Sequence, residues 1–129
     1  MSDTDEIREV ITTRLEALRR RDAAAANAAL DRGLVAFEVA GPLQLPSAQA
    51  IDDSLTQAWL DSFEEGPTVT PEQLTICADA SVAFCHSLNR LQGRKFDGQS
   101  VDVTMRSTLG LRKVDGRWKI VHGDTSFPR

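Results

Sequence analysis

The strongest fold signal in this chain is the stretch Arg106–Pro128, with the sequence RSTLGLRKVDGRWKIVHGDTSFP. Apolar and polar residues alternate on both sides of Asp115-Gly116, and such alternation is typical of strands with one buried face. An Asp-Gly pair suits a two-residue hairpin turn, because a type I′ turn needs φ > 0 at both central positions. The stretch therefore predicts a β-hairpin. Its facing pairs would be Val114 with Arg117, Leu111 with Ile120, and Leu109 with His122.

One face of this hairpin is expected to be mostly apolar and to carry two titratable side chains. Alternation places on that face Val103, Met105, Leu109, Leu111, Trp118, Ile120, His122 and Asp124. The Cα atoms of His122 and Asp124 would lie about 6.5–7 Å apart along the strand. In a cavity, a carboxylate near a histidine favours the imidazolium and allows general acid or base chemistry near neutral pH. Both residues are therefore catalytic candidates.

A further catalytic candidate, His86, lies in an alternating stretch, Val82–Arg90, that predicts another strand. His86 would share one face with Phe84 and Leu88 and could point to the same cavity. For both histidines the alternative is a partly buried residue that bonds to backbone or to a neighbour. The residues expected to line the cavity and contact a ligand are Trp59, Trp118, Phe84, Phe37, Met105 and Leu109, although a tryptophan at the position of Trp59 is more often a core residue than a ligand contact.

Arg106 has two alternative positions, which depend on the hairpin register. With a two-residue turn, Arg106 and Thr108 lie on the face opposite the apolar set, where a second subunit could pack. A one-residue bulge, or a longer loop ending at Gly116, would turn Arg106 inward as a cation suited to a carboxylate or enolate. The apolar set favours the first register, since a slip would bury Arg106 and Arg112 instead. Arg106 is kept as a ligand-binding candidate.

Upstream of the hairpin, the periodicity predicts three helices and three strands. The helices would span about Asp5–Arg20, Ala23–Leu30 and Ala48–Glu64, and the strands Leu34–Ala40, Leu74–Cys77 and Val82–Arg90, with a polar loop at Gln92–Ser100. The order α-α-β-α-β-β-β-β predicts an α+β fold in which three helices cover one face of a mostly antiparallel sheet. A strongly bent sheet leaves a cavity beneath the helices, which is the usual place for a small ligand.

Length, charge and composition limit the functions to be considered. At 129 residues the chain is expected to form a single domain, residues 1–129. A net charge of −4 argues against nucleic-acid or anionic-membrane binding, and no apolar run is long enough to cross a bilayer. With no signal peptide pattern, the expected location is the cytoplasm. Cys77 and Cys85 are interpreted as small buried apolar residues, since no metal-ligand spacing is present. Glu38 is interpreted as a solvent carboxylate of an edge strand rather than a pocket acid.

Several motifs together resemble one known superfamily over nearly the whole chain. They are Asp22, Phe37, Gly41-Pro42-Leu43, Trp59 with Phe63, Ala83-Phe84-Cys85-His86, Arg106-x-Thr108, Asp115-Gly116-Arg117-Trp118-Lys119-Ile120-Val121-His122 and Ser126. The chain resembles the nuclear transport factor 2-like superfamily, a cystatin-like α+β cone. Within it the chain is similar to the SnoaL-like and ketosteroid-isomerase-like group. This resemblance indicates fold more than function, because the superfamily holds several enzyme classes and binding domains.

The resemblance implies a pocket for a small apolar molecule, a homodimer, and no cofactor or metal. The implied activity is isomerisation, cyclisation or dehydration of an apolar carbonyl compound by general acid–base chemistry. The alternatives are a non-catalytic dimeric ligand-binding module and an oligomerisation module that assembles beyond a dimer. Two departures matter: Asp124 stands where many relatives have a second histidine, and the chain has no tyrosine to supply the oxyanion donor of ketosteroid isomerases.

Overall fold

The helices of this chain lie in its first half and cover one face of a curved, mostly antiparallel sheet. A computed structural model describes residues 1–128, and within them it has four helices and five strands. The helices are α1 (Asp3–Arg19), α2 (Ala23–Asn27), α3 (Ser47–Ala50) and α4 (Asp53–Asp61). The strands are β1 (Leu30–Phe37), β2 (Phe63–Asp79), β3 (Val82–Lys95), β4 (Ser100–Val114) and β5 (Arg117–Ser126). The predicted α+β class is confirmed.

The sheet has the strand order β1-β5-β4-β3-β2, so the first strand of the chain pairs with the last. β1 runs parallel to β5, and the other neighbours are antiparallel. The side of the sheet that faces the helices is called the concave face here, and the other side is the convex face. β1 begins earlier than the predicted Leu34, and α2 ends earlier than the predicted Leu30. The reason is that the N–H of Ile120 donates to the carbonyl of Ala29 and draws the chain into the sheet there.

The boundaries of the other helices follow their capping residues. Ser2 caps α1 in place of Asp3 or Thr4, because its Oγ accepts from the N–H of Asp5 at 3.1 Å. The predicted helix Ala48–Glu64 is two helices instead. It is interrupted at Asp52, whose Oδ1 accepts from the N–H of Ser54 at 2.8 Å and starts α4.

Two strands are longer than their apolar patterns predict. β2 begins at Phe63, which was expected inside a helix, and β3 continues into the predicted loop Gln92–Ser100 as far as Lys95. β3 pairs with β2 and β4 along its length, so the backbone N–H and C=O groups of these polar residues form hydrogen bonds within the sheet. Polar side chains are tolerated because β2 is an edge strand and the convex face has no helical cover.

The core forms where α1 packs on the concave face of the sheet. Ile7 and Ile11 of α1 share a buried cluster with Leu111, Trp118 and Ile120. Trp118 is 4% exposed, and its Nε1–H donates to Oδ1 of Asp3 at 3.3 Å. Trp118 is therefore a core residue that ties α1 to β5. Among the described residues, no helix has the length and hydropathy needed to cross a membrane.

Gly93 of β3 provides a test of how tightly this end of the sheet is packed. A Cβ at this position would lie 2.7 Å from Cδ1 of the buried Phe63 and 2.9 Å from the carbonyl oxygen of Glu65. Because the Glu65 oxygen belongs to the paired backbone of β2, it cannot move away cheaply. We expect Gly93→Ala to lower the free energy of unfolding by about 1–3 kcal/mol, measured by urea denaturation. Gly33→Ala is the control, since its Cβ would meet only Oδ2 of Asp31 at 3.3 Å. Equal stability of the two variants would contradict this packing.

Candidate functional site

A cavity of about 680 Å³ lies between the helices and the concave face of the sheet. A volume of this size is typical of sites that hold a small organic ligand. Much of its wall is apolar and includes Leu15, Leu34, Trp59, Leu74, Met105 and Leu109. Trp59, Met105 and Leu109 are thus at the cavity, where the sequence analysis expected them. That they contact a ligand stays a prediction.

A β-bulge at Val121 decides which side chains of β5 face this cavity. Leu111 pairs with Ile120, but Gly110 pairs with His122, so Val121 has no partner on β4. A bulge adds one residue to a strand and reverses the alternation beyond it. The predicted pairs Val114–Arg117 and Leu111–Ile120 are confirmed, and the pair Leu109–His122 is wrong, because Leu109 faces Gly123.

His122 and Asp124 consequently lie on the convex face, outside the cavity lining. His122 is half-buried, and its Nδ1–H donates to the carbonyl of Val35 on β1 at 2.8 Å. Its ring also meets the ring of Phe37 edge-on, with the centroids 5.1 Å apart. Asp124 is exposed. The predicted inward position of His122, Asp124 and Phe37 is wrong, and neither His122 nor Asp124 can touch a molecule held in the cavity.

Four more of the predicted site residues also lie away from the cavity. Phe84 and His86 share one face, as predicted, but it is the convex face, where Phe84 is 51% exposed. Arg106 pairs with Ser126 and also lies outside, as in the first of its two alternatives. The bulge that could have turned it inward is in β5 rather than in β4. Trp118 is buried beneath α1 and does not line the cavity.

The cation at the cavity is Arg14 of α1, which the sequence analysis missed. Its Nη1 donates to the carbonyl of Ala26 at 2.7 Å and to Oδ1 of Asn27 at 3.4 Å. Asn27 is only 8% exposed, and its Nδ2 donates to Oδ1 of Asp53 at 3.1 Å and to Oγ1 of Thr56 at 3.0 Å. α2 and α4 therefore fix the guanidinium of α1. Burial lowers the pKa of Arg14 and Glu38 opposes that shift, but an arginine stays protonated in a protein.

The carboxylate at the cavity is Glu38, which directly follows β1. Glu38 is exposed beside an edge strand, as the sequence analysis expected, but it also lines the cavity and so lies at the cavity mouth. Burial raises the pKa of Glu38, the charge of Arg14 lowers it, and the nearby Asp124 raises it. Glu38 and Arg14 form no ion pair among the described residues. The charge of each nevertheless shifts the pKa of the other. A carbonyl compound in the cavity could therefore meet both groups.

The remaining titratable group on the wall, Cys85, has a different character. Cys85 is 1% exposed, and burial raises the pKa of its thiol to about 11. It is therefore protonated at neutral pH and is a poor nucleophile. Its neighbour Cys77 is exposed, on the convex face. Residues 1–128 hold no cluster of three or more His, Cys, Asp or Glu side chains that could bind a metal ion.

A sequence signal for Arg14 was present in the periodicity of α1. The apolar stripe of this helix follows Ile7, Ile11, Leu15 and Leu18, and Arg14 occupies a position on that same stripe. A charged residue on a buried stripe indicates either a salt bridge or a functional group in a cavity. Glu38 had a similar signal, since it follows Leu34 and Ala36 at alternate positions and so falls on the same, inward face of β1.

The fold and its cavity define the class of nuclear transport factor 2-like α+β proteins, which carry a site between a curved sheet and its helices. Within that class the chain belongs to the SnoaL-like domain family, whose profile matches residues 7–129. The predicted resemblance is confirmed. A comparison with curated proteins gives no significant match.

Three solved structures illustrate the similarity. A nuclear transport factor 2-like protein from Pseudomonas putida is 28% identical, with 99% of this chain and 89% of that chain covered and a TM-score of 0.80. A candidate ketosteroid isomerase from Shewanella frigidimarina is 27% identical, with 92% of both chains covered and a TM-score of 0.68. A protein with a cystatin-like fold from Nostoc punctiforme is 16% identical, with 96% and 90% covered and a TM-score of 0.72. The last likeness shows the fold alone and confirms its cystatin-like character.

The electrostatics of Glu38 can be tested with two variants of opposite sign. We expect Asp124→Asn to lower the pKa of Glu38, because it removes a negative charge, and Arg14→Met to raise it, because it removes a positive one. A pH titration of the Glu38 carboxyl carbon by ¹³C NMR measures both. Asp115→Asn, in the β4–β5 turn, is the control and should leave this pKa unchanged.

The raised pKa of Glu38 also predicts the direction in which the stability of the fold changes with pH. Because the folded-state pKa of Glu38 is raised, its contribution is complete below the ordinary carboxyl pKa and is lost as pH rises through the raised value. Asp124→Asn should reduce that loss. A Glu38 pKa that is unchanged or higher in Asp124→Asn would contradict the assignment.

Proposed function

We propose that this protein is an enzyme that binds a small apolar carbonyl compound and moves a proton at the carbon next to the carbonyl group. The observation that carries the proposal is that Glu38 and Arg14 line the same, largely apolar cavity. One is a carboxylate whose pKa is raised, and the other is a cation held in place by neighbouring helices. Together they supply a base and an electrostatic stabiliser without a metal or cofactor.

Glu38 is the proposed general base. Burial raises the pKa of Glu38, and a carboxylate with a raised pKa is a stronger base than one in water. Its place at the cavity mouth lets it reach a bound molecule and exchange its proton with solvent afterwards. His122, Asp124 and His86 lie outside the cavity and contact no substrate in this proposal, and Asp124 acts only through its charge on Glu38.

Arg14 is the proposed stabiliser of the enolate oxygen. Its Nη1 is held by Ala26 and Asn27, so the guanidinium is oriented before any ligand binds, and within residues 1–128 no side chain or carbonyl accepts from its other nitrogens. A donor that is already oriented stabilises developing negative charge with little reorganisation. Arg14 would thus take the role for which ketosteroid isomerases use the tyrosine that this chain lacks.

The proposed reaction begins when the Glu38 carboxylate accepts a proton from the α-carbon. The C–H electron pair becomes the enolate π bond, and negative charge collects on the oxygen near Arg14. Return of the proton from Glu38 to another carbon of a conjugated enolate gives an isomer. Its transfer to a β-hydroxyl group, which then leaves as water while the enolate pair forms the C=C bond, gives a dehydrated product and restores the carboxylate. The candidate ketosteroid isomerase among the similar structures supports this class of reaction without identifying the substrate.

Proton exchange tests this proposal directly. In D₂O with 4-phenylcyclohexanone, we expect the protein to accelerate loss of the α-hydrogen signals in ¹H NMR. Glu38→Gln should slow the exchange by at least about 100-fold, because it removes the base. Arg14→Met should slow it by about 100-fold, because it removes the stabilising charge. His86→Ala, on the convex face, is the control and should keep the wild-type rate. Exchange that survives Glu38→Gln would contradict the proposed base.

The alternative function, a dimeric ligand-binding module or a larger assembly module, rests on the convex face. This face exposes Val82, Phe84 and Phe37, with 58%, 51% and 38% of their surfaces accessible. Exposed apolar side chains on one sheet face support self-association. The homodimer expected from the resemblance stays a proposal, and it is compatible with catalysis in the cavity.

Light scattering tests the assembly. We expect a dimer that Phe84→Glu shifts towards monomer, because the variant puts a charge into the apolar convex patch. Phe96→Glu is the matched control, since Phe96 is 69% exposed at the β3–β4 turn, away from that patch. An assembly larger than a dimer would favour the assembly module, and a monomeric wild-type protein would rule out both forms.

A further inference from the structure

A row of polar side chains crosses the concave face of the sheet from β1 to β3. Phe37 pairs with Asp124 in parallel, so the next residues, Glu38 and Thr125, are neighbours. Thr125 pairs with Ser107, and Ser107 pairs with Ser87. All of Glu38, Thr125, Ser107 and Ser87 line the cavity. The wall beneath the helices therefore has a polar path that begins at the proposed base.

Ser107 is the buried residue of this row, so a hydrogen-bond partner for its hydroxyl matters most. It is 8% exposed, and it lies between the inward-facing Met105 and Leu109 on β4. Among the described residues no hydrogen bond joins its hydroxyl to protein, and no fully buried polar side-chain atom lacks a partner, so the Ser107 hydroxyl is accessible from the cavity that it lines. A hydroxyl in an apolar wall costs free energy unless it is hydrogen-bonded, and alanine would pack there without that cost.

Asn89, one inward position further along β3, adds a donor beside this row. The Ser87 hydroxyl donates to Oδ1 of Asn89 at 2.8 Å, which fixes the orientation of the amide. Within residues 1–128 the Nδ2 of Asn89 has no acceptor, and Asn89 also lines the cavity. The Ser107 hydroxyl and the Asn89 amide therefore offer hydrogen bonds on the part of the wall that is remote from Glu38.

We propose that Ser107 and Asn89, with Ser87 orienting Asn89, form a second polar subsite that binds a hydroxyl or carbonyl oxygen at the far end of the substrate. Neighbouring strands are about 4.8 Å apart, so β4 and β3 lie roughly 10 and 14 Å from β1 along the curved sheet. The substrate class is then an elongated apolar ketone with a second oxygen at the end opposite its reacting carbonyl. The inference rests on the proposed function only in assigning the reacting carbonyl to the end near Glu38 and Arg14.

The test uses two ketones that differ only in a distal hydroxyl group, 4-phenylcyclohexanone and 4-(4-hydroxyphenyl)cyclohexanone. We expect calorimetry to show that wild-type protein binds the hydroxylated ketone about three- to tenfold more tightly, as one or two neutral hydrogen bonds would allow. Ser107→Ala and Asn89→Ala should each reduce this preference and leave the affinity for 4-phenylcyclohexanone nearly unchanged. Thr104→Ala, exposed on β4 and outside the cavity lining, is the control and should keep the full preference.

The outcomes separate this inference from the proposed function. Equal wild-type affinities for the two ketones, a preference that survives in both variants, or binding of neither ketone would overturn the second subsite. Glu38→Gln should abolish α-proton exchange and keep the preference for the distal hydroxyl. A retained preference without exchange in wild-type protein would refute the proposed reaction and leave the subsite standing, whereas exchange without any preference would do the reverse.

Discussion

The extra residue at Val121 controls which groups β5 contributes to the cavity wall. Before the bulge, Trp118 and Ile120 face inward and complete the core beneath α1. Beyond it the parity is reversed, so Gly123 and Thr125 line the cavity and Asp124 lies on the convex face. The same irregularity lets His122 bond to the carbonyl of Val35, which helps hold β1 beside β5. Because Glu38 directly follows β1, the position of the proposed base depends on this pairing. A regular strand would have produced a cavity lined by a histidine and an aspartate instead.

Arg14 shows how the helices serve the cavity as well as cover it. A buried cation is costly unless its donors are bonded, and apolar residues of similar volume often stabilise a fold better. Here two other helices meet that requirement: α2 supplies the Ala26 carbonyl and Asn27, and α4 supplies Asp53 and Thr56, which fix Asn27. α2 and α4 therefore meet around polar contacts that point towards the cavity. These contacts orient the guanidinium before any ligand binds, which the proposed role of Arg14 requires.

The sequence predicted the architecture well because most of its signals are periodic and local. The Asp115-Gly116 turn, the stripe of α1 and the alternation in β3 and β4 each specify an element from its own residues. The site was predicted poorly, because the bulge in β5 depends on how this strand fits between β4 and the parallel strand β1. No short sequence motif indicates such a bulge. One extra residue moved His122 and Asp124 across the sheet. Arg14 and Ser107 could have been found, since each interrupts an apolar pattern at an inward position, whereas the access of Glu38 to the cavity depends on the loop that follows β1.

The proton affinity of Glu38 is set by groups on opposite sides of one sheet edge. The apolar wall and Asp124 favour the protonated form, and Arg14, inside the cavity, favours the carboxylate. A bound ketone would alter only the effects of the apolar wall and of Arg14 on the pKa of Glu38, because it excludes water and places its oxygen near Arg14. In the proposed reaction the guanidinium would stabilise the substrate oxygen as the enolate forms, while Glu38 would become neutral. Arg14 would thus stabilise the carboxylate before proton transfer and the enolate after it, which limits the change in charge within the cavity. The charge of Asp124, outside the cavity, opposes the effect of Arg14 on the pKa of Glu38 and so would keep the proposed base from becoming too weak.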